Sequence, residues 1–431
     1  MKLFPNQETL LSQALEVLKK YGFLYLTLET RVGKTPISIM AAFELANKVL
    51  FATKKSAMKD ISETLAKLSE DYDLSHKRLD IVSCDSLHKI EKGEYPVIIA
   101  DEAHGYGAYP LPTLRAKELR RISKGCVVIM LSATPTPESY SMIYHQLWAA
   151  NVDIPFITDY KNFYAWAHKY VKKNKEGTYF QVYHSGSYAN DYSRGDGKLI
   201  LPEILPYMVE GNKKDAGFAV TEIKEIFLKA VVPDALKQLI NTVKKDRVAY
   251  HGDIVILADT AAKLLSKEHQ LASGTVIPEG SKEGVILSTH KMPVIKFAMH
   301  LYGRVAIFYK FIAEKKMLED AFGDRATDNN QEFNENPDKV FIGQFISKRE
   351  GINLEKADAI ICLNIDFAYL SYIQMINRMM SYNRTKEAVV IWIFSDNGIE
   401  EAIYKAVAKK KNYTSAYYRT RLKKEGLTWQ T

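Results

Sequence analysis

The residues most able to do chemistry lie in three short stretches of the first third of the chain. Leu28-Glu29-Thr30-Arg31-Val32-Gly33-Lys34-Thr35 follows an apolar run and opens a helical pattern. A loop that cradles phosphate needs that setting. Backbone N–H groups at a helix start, aided by the helix dipole, bind phosphate. Lys34 would neutralise β- and γ-phosphates, and the Thr35 hydroxyl would sit on Mg2+. Arg31 and Gly33 belong to the same nucleotide-binding loop. The first glycine of the G-x-x-x-x-G-K-T pattern is Leu28 here. Asp101 and Glu102 end a second apolar run, Val97-Ile98-Ile99-Ala100, and stand 67 residues after Lys34. Two carboxylates at a strand end fall on the edge of a parallel sheet where α/β sites lie. Asp101 would hold Mg2+ through water, and Glu102 would orient and deprotonate the attacking water. The third stretch is Leu131-Ser132-Ala133-Thr134, again at a strand end, with hydroxyls placed to relay the nucleotide state to bound nucleic acid.

Positioning those groups takes a sheet. Strands are expected at Phe23–Thr27, Val49–Thr53, Asp80–Ser83, Val97–Asp101 and Val127–Ser132, with helical segments between them. The first of these segments covers Gln7 to Lys20. Such alternation predicts a parallel sheet covered on both faces over residues 1–150. Residues 151–275 read differently, as an insertion or linker region of helices with a loop or hairpin. It starts with a run of aromatics (Phe156, Tyr160, Phe163, Tyr164, Trp166 and Tyr170 among them) that reads as its core. The α/β alternation returns over 276–431, with strands expected at Val305–Tyr309, Val340–Gln344, Ala359–Leu363 and Val389–Phe394. The fold expected is therefore α/β, two parallel-sheet lobes with a mostly helical insertion between them.

Composition sets the outer bounds. The chain has 431 residues, enough for two or three domains, with 47% hydrophobic and 26% charged residues. No apolar run approaches the roughly 18 residues that span a bilayer. The opening MKLFPNQETL lacks an apolar segment, so neither a membrane partner nor a secretory signal is expected. Three scattered cysteines, Cys84, Cys126 and Cys362, fit a reducing cytoplasm. The net charge of +8 is matched by the eight lysines and arginines between Ala402 and Lys424, a stretch without acidic residues and interleaved with Tyr404, Tyr413, Tyr417 and Tyr418. A basic strip with aromatics suits phosphates and stacked bases, and a solvated terminal helix would look the same.

Taken together, the three stretches resemble motifs I, II and III of helicase superfamily 2, and the chain as a whole resembles its Swi/Snf-like translocases. Leu3-Phe4-Pro5-Asn6-Gln7 resembles the family's L-x-P-x-Q opening, whose glutamine reads adenine. Phe51-Ala52-Thr53-Lys54-Lys55-Ser56 is similar to motif Ia and Ser83-Cys84-Asp85-Ser86-Leu87 to motif Ib. Ile204 to Val209 is similar to the family's segment leading out of the helical insertion, and His269 to Gly274 to the lead-in to the second lobe. Ile307-Phe308-Tyr309-Lys310-Phe311 resembles motif IV, Glu350 to Asp358 motif V with Gly351, Asn353 and Leu354 matching best, and Gln374-Met375-Ile376-Asn377-Arg378 motif VI. The resemblance implies two RecA-like lobes, ATP and Mg2+ as cofactors, and DNA-dependent ATP hydrolysis. It implies nucleotide contacts by Gln7 and Gln374, and catalytic roles for Lys34, Asp101, Glu102 and an arginine of motif VI. It also implies nucleic-acid contacts by Lys54, Lys55, Ser86, Ser132, Thr134 and Gly351. Motif VI departs from Q-x-x-G-R-x-x-R. Asn377 replaces the glycine and Ser381 the second arginine, leaving Arg378 as the expected finger with Arg384 as helper.

Double-stranded DNA translocation is the function expected. A strand-separating or annealing helicase on forked or single-stranded DNA is the alternative, and a nucleotide-dependent DNA clamp with weak ATPase is a third reading from another class. The compact chain suits a monomer in a bacterial or phage-infected cytoplasm, working beside replication or recombination proteins.

Overall fold

The computed structural model describes residues 1–29, 32–184, 187–211, 223–345, 354, 356–368, 371, 372, 375, 387–396 and 398–409. The chain divides into two compact units, Met1–Val220 and Thr221–Thr431.

In the first unit the strands are β1 (Phe23–Leu28), β2 (Lys48–Thr53), β3 (Arg78–Ser83), β4 (Val97–Ala100), β5 (Val127–Leu131), a hairpin of β6 (Gln181–His184) and β7 (Ser187–Asn190), and β8 (Met208–Gly211). Six of them form one sheet in the order β3-β2-β4-β5-β1-β8, with every neighbouring pair parallel. The apolar runs form strands because a parallel sheet buried on both faces needs apolar side chains in both directions. Along β1, Phe23 and Tyr25 enter one hydrophobic core, while Leu24, Leu26 and Leu28 enter the other. Helix α1 (Pro5–Tyr21) and helix α2 (Lys34–Leu45) flank this sheet; α1 buries Ala14 and Leu18 and ends on Gly22 in the left-handed region.

The second unit repeats the plan. Its strands are β9 (Ile223–Ala230), the hairpin pair β10 (Val248–His251) and β11 (Ile254–Leu257), the short pair β12 (Thr275–Val276) and β13 (Val285–Ile286), then β14 (Val305–Tyr309), β15 (Ala326–Thr327), β16 (Val340–Gln344), β17 (Ala359–Cys362) and β18 (Ala388–Ser395). The sheet order is β15-β16-β14-β17-β18-β9, again all parallel. The expected α/β fold with two parallel-sheet lobes is therefore what the chain adopts.

The segment from 151 to 275 is shared between the units. Phe163 and Trp166 pack on Tyr144, and Phe156 packs on Trp166 and Tyr170, so these aromatics join a core of the first sheet and not one of their own, while Tyr164 is exposed. β8 then adds to that sheet beside β1, with Tyr25 opposite Met208. From β9 onward the chain belongs to the second unit, where all eight residues of β9 pair with β18. The helices Asp234–Asp246 and Ala261–Ala272 match the helical patterns expected there. The three cysteines are free. Among the described residues no helix is long and apolar enough to cross a membrane.

Polar groups buried in the second unit give it a pH dependence. The Lys291 ammonium, fully buried, donates to Glu400 Oε1 at 2.9 Å and to the Leu363 carbonyl at 2.8 Å. His269, also fully buried, bonds Asn364 through Nε2. Burial, reinforced by the Lys310 charge, holds the His269 pKa well below the usual histidine range. Burial and Lys291 likewise bring His290 down to about 4. Both rings are neutral in the folded protein but would charge near pH 6.5 when unfolded. Below about 6.5 the unfolded chain therefore binds more protons. The stability is complete above that pH and is lost progressively as the pH falls toward the folded values. His269 alone accounts for up to about 1.4 kcal/mol per pH unit over that window. The unfolding midpoint is expected to fall between pH 7.5 and 5.0, and His269→Gln, although less stable at pH 7.5, to show a shallower fall. An equal slope in the variant would contradict this assignment.

Candidate functional site

All strands of the first sheet run the same way, so their carboxyl ends share one edge. β1 ends at the Leu28–Thr35 loop, β2 at Lys54 and Lys55, β3 at the turn holding Ser86, β4 at Asp101 and Glu102, and β5 at Ser132 to Thr134. β5 stands between β1 and β4, so the third stretch lies between the phosphate-type loop and the carboxylates. Five candidate stretches, scattered over about a hundred residues of sequence, are thus gathered on one rim.

The loop leads into α2, whose N-terminus has no side-chain cap and no acidic residue in its first turn. Uncapped N–H groups with a positive dipole end favour an anion there. Gly33 caps the helix with φ +111°, and a Cβ on it would stand 2.3 Å from Gln7 Nε2. The position therefore needs glycine on two counts. Gln7 is buried. Its amide donates to the Val32 carbonyl at 3.1 Å and accepts from the Phe4 N–H at 3.1 Å, so it braces the loop from α1. Lys34 donates from Nζ to the Leu28 carbonyl at 2.8 Å. Burial lowers its pKa, while the nearby charges of Glu102, Asp101 and Glu29 act to raise it. Thr35 is half-buried in the first turn of α2.

Asp101 extends the ladder between β2 and β4, its N–H donating to the Ala52 carbonyl at 2.9 Å. Its pKa is raised to about 6, first by burial and then by the charge of Glu102, with the Thr53 hydrogen bond and Lys34 opposing. A carboxylate pair of this kind is relieved by a divalent cation. Glu102 has φ 48° and ψ 51°, an uncommon conformation for a residue with a Cβ. It presents a partly exposed carboxylate, Oε2 lying 3.2 Å from His104 Nδ1. The same ring nitrogen is 3.3 Å from Ser132 Oγ, which also accepts from the Thr134 N–H at 3.1 Å. A continuous polar chain therefore runs Glu102–His104–Ser132–Thr134.

This chain corrects one expectation. Ser132 is fully buried with its hydroxyl engaged inside the protein, so it lies beneath the surface a nucleic acid would touch. Thr134 is the part-exposed end. Lys55 is exposed, and Lys54 and Ser86 are half-buried. Arg31, Gly351, Gln374, Arg378 and Arg384 lie outside the described residues, as does the basic strip beyond Lys409. Their neighbours Leu354 and Met375 are buried in the core of the second unit. Among the described residues, no group of three or more histidine, cysteine or acidic side chains could hold a metal. Mg2+ at Thr35 and Asp101 would thus depend on the nucleotide for further ligands. Sequence reasoning missed Thr53, whose hydroxyl donates to Asp101 Oδ2 at 2.7 Å.

No family model matches the chain, and no curated protein matches it. Solved structures to which it is similar include the SWI2/SNF2 ATPase core of Sulfolobus solfataricus in complex with dsDNA (17% identity, TM-score 0.43, covering 99% of this chain and 96% of that one). The helicase domain of Pyrococcus furiosus Hef is another (13% identity, TM-score 0.48, covering 94% and 97%). A third is the Sulfolobus solfataricus SWI2/SNF2 ATPase core domain (15% identity, TM-score 0.41, covering 100% and 95%).

Proposed function

We propose that the chain is an ATP-hydrolysing nucleic-acid motor that translocates on double-stranded DNA. The observation that carries this reading is the gathering, on one sheet edge, of Lys34, Asp101 and Glu102 beside Lys54, Lys55, Ser86 and Thr134. The α2 N-terminus and Lys34 receive the phosphates, Gln7 fixes the loop, and Thr35 and Asp101 hold Mg2+, which neutralises phosphate charge. Glu102 takes the proton of the attacking water. The motif resemblance assigns further nucleotide roles to Gln374 and Arg378, with Arg384 as helper, and a nucleic-acid contact to Gly351. Because hydrolysis removes the γ-phosphate, binding and hydrolysis alternate the hold of the two units on the DNA. Phosphate contacts carry no base code, so binding is non-specific in sequence and weakens steeply with salt.

The test is ATP turnover measured with duplex, forked and single-stranded DNA and with RNA. Stimulation by plain duplex, without release of a labelled strand, is the expected result. Stimulation confined to forks or single strands, with strand release, would make the chain a strand-separating helicase. Nucleotide binding with negligible turnover on every substrate would make it a clamp.

A further inference from the structure

Thr53 is the last residue of β2 and is buried (1% exposed). β2 and β4 are locked in register, Ala52 opposite Ala100, and the Asp101 N–H extends the ladder onto the Ala52 carbonyl. That register sets the Thr53 side chain against the Asp101 carboxylate. Its hydroxyl donates to Oδ2 at 2.7 Å, while the Glu102 N–H donates to Oδ1 at 2.9 Å. Each carboxylate oxygen thus has one fixed donor, one from a strand 48 residues away and one from its own backbone. A threonine on a strand is stiff about χ1, so the donor is aimed by the backbone and not by chance. A carboxylate held at both oxygens keeps one rotamer and one set of free lone pairs.

We propose that Thr53 is a positioning residue that orients Asp101 for the metal ion of the nucleotide complex. This rests on the nucleotide-site reading above. Partners of this kind, which hold a metal ligand without touching the metal, alter metal affinity or activity by about 10–100-fold when removed. Thr53→Val keeps the shape and the β-branch and removes only the donor. Thr53→Ser keeps the donor and removes a methyl group.

The experiment measures Mn2+ affinity in the presence of saturating ADP, by electron paramagnetic resonance of free Mn2+, on the full chain. Unfolding midpoints serve as the check on folding. Thr53→Val is expected to weaken Mn2+ binding roughly tenfold, with ADP binding in the absence of metal unchanged, and Thr53→Ser to bind Mn2+ within about twofold of the wild type. Asp101→Asn is expected to weaken Mn2+ binding at least as much, and the Thr53→Val/Asp101→Asn double variant no further, because the two side chains act through one contact. An Asp101→Asn effect with an unmoved Thr53→Val would overturn this inference alone. An unmoved Asp101→Asn would remove the metal role of Asp101, and this inference with it.

Discussion

Glu102→Gln is expected to lower ATP turnover by about 10²–10⁴-fold while leaving nucleotide binding intact, the range that a positioned general base contributes. The geometry singles out Glu102 over its neighbour. Asp101 is half-buried and tied at both carboxylate oxygens, so it is placed to hold an ion and not to move a proton. Glu102 itself adopts the left-handed backbone conformation, and its carboxylate is partly exposed, with His104 Nδ1 at 3.2 Å. Glutamine keeps the size and the hydrogen bonding but cannot accept a proton. Steady-state turnover beside the affinity for a fluorescent ATP analogue separates the two effects. Turnover within a few-fold of the wild type would remove Glu102 from the chemistry.

Lys34→Ala is the second large loss, about 10²–10³-fold in kcat/KM, the scale found when one preorganised electrostatic group is deleted from a reacting centre. Here nucleotide binding weakens too. The ammonium at the start of α2 already donates to the Leu28 carbonyl at 2.8 Å and feels the charges of Glu102, Asp101 and Glu29. It is therefore the cation that balances an acidic cluster as well as the one that would meet phosphate. Removing it leaves the carboxylates and an anionic ligand facing each other. Lys34→Arg is not expected to restore activity, because a planar five-donor group does not replace a compact ammonium in a tight loop. Circular dichroism on the variants verifies that the fold survives. Hydrolysis by Lys34→Ala at the wild-type rate would place the phosphates elsewhere.

The local elements were legible in the residues themselves. Each expected strand of the two sheets coincides within a few residues with an observed one, because a strand buried on both faces must be apolar throughout. The Asp101–Glu102 pair was legible for the same reason: an apolar run that stops at two carboxylates can only end at the sheet's edge. The segment between the lobes was harder. β8 is four residues long and contains Glu210. β9 carries Lys224, Glu225 and Lys229 among its hydrophobes, as an outer strand with an exposed face can, so neither carries the signature of a central strand.

Adjacency was decided only by the fold. Nothing near Thr53 in the chain points to Asp101, and nothing near Ser132 shows that its hydroxyl turns inward to His104. Those contacts exist because β2 lies beside β4, and β5 between β4 and β1. The amino-acid pattern fixes which face each element buries, since periodicity is a local property. Which buried faces meet depends on packing between distant segments, and that packing decides which side chains hold the reacting groups in place.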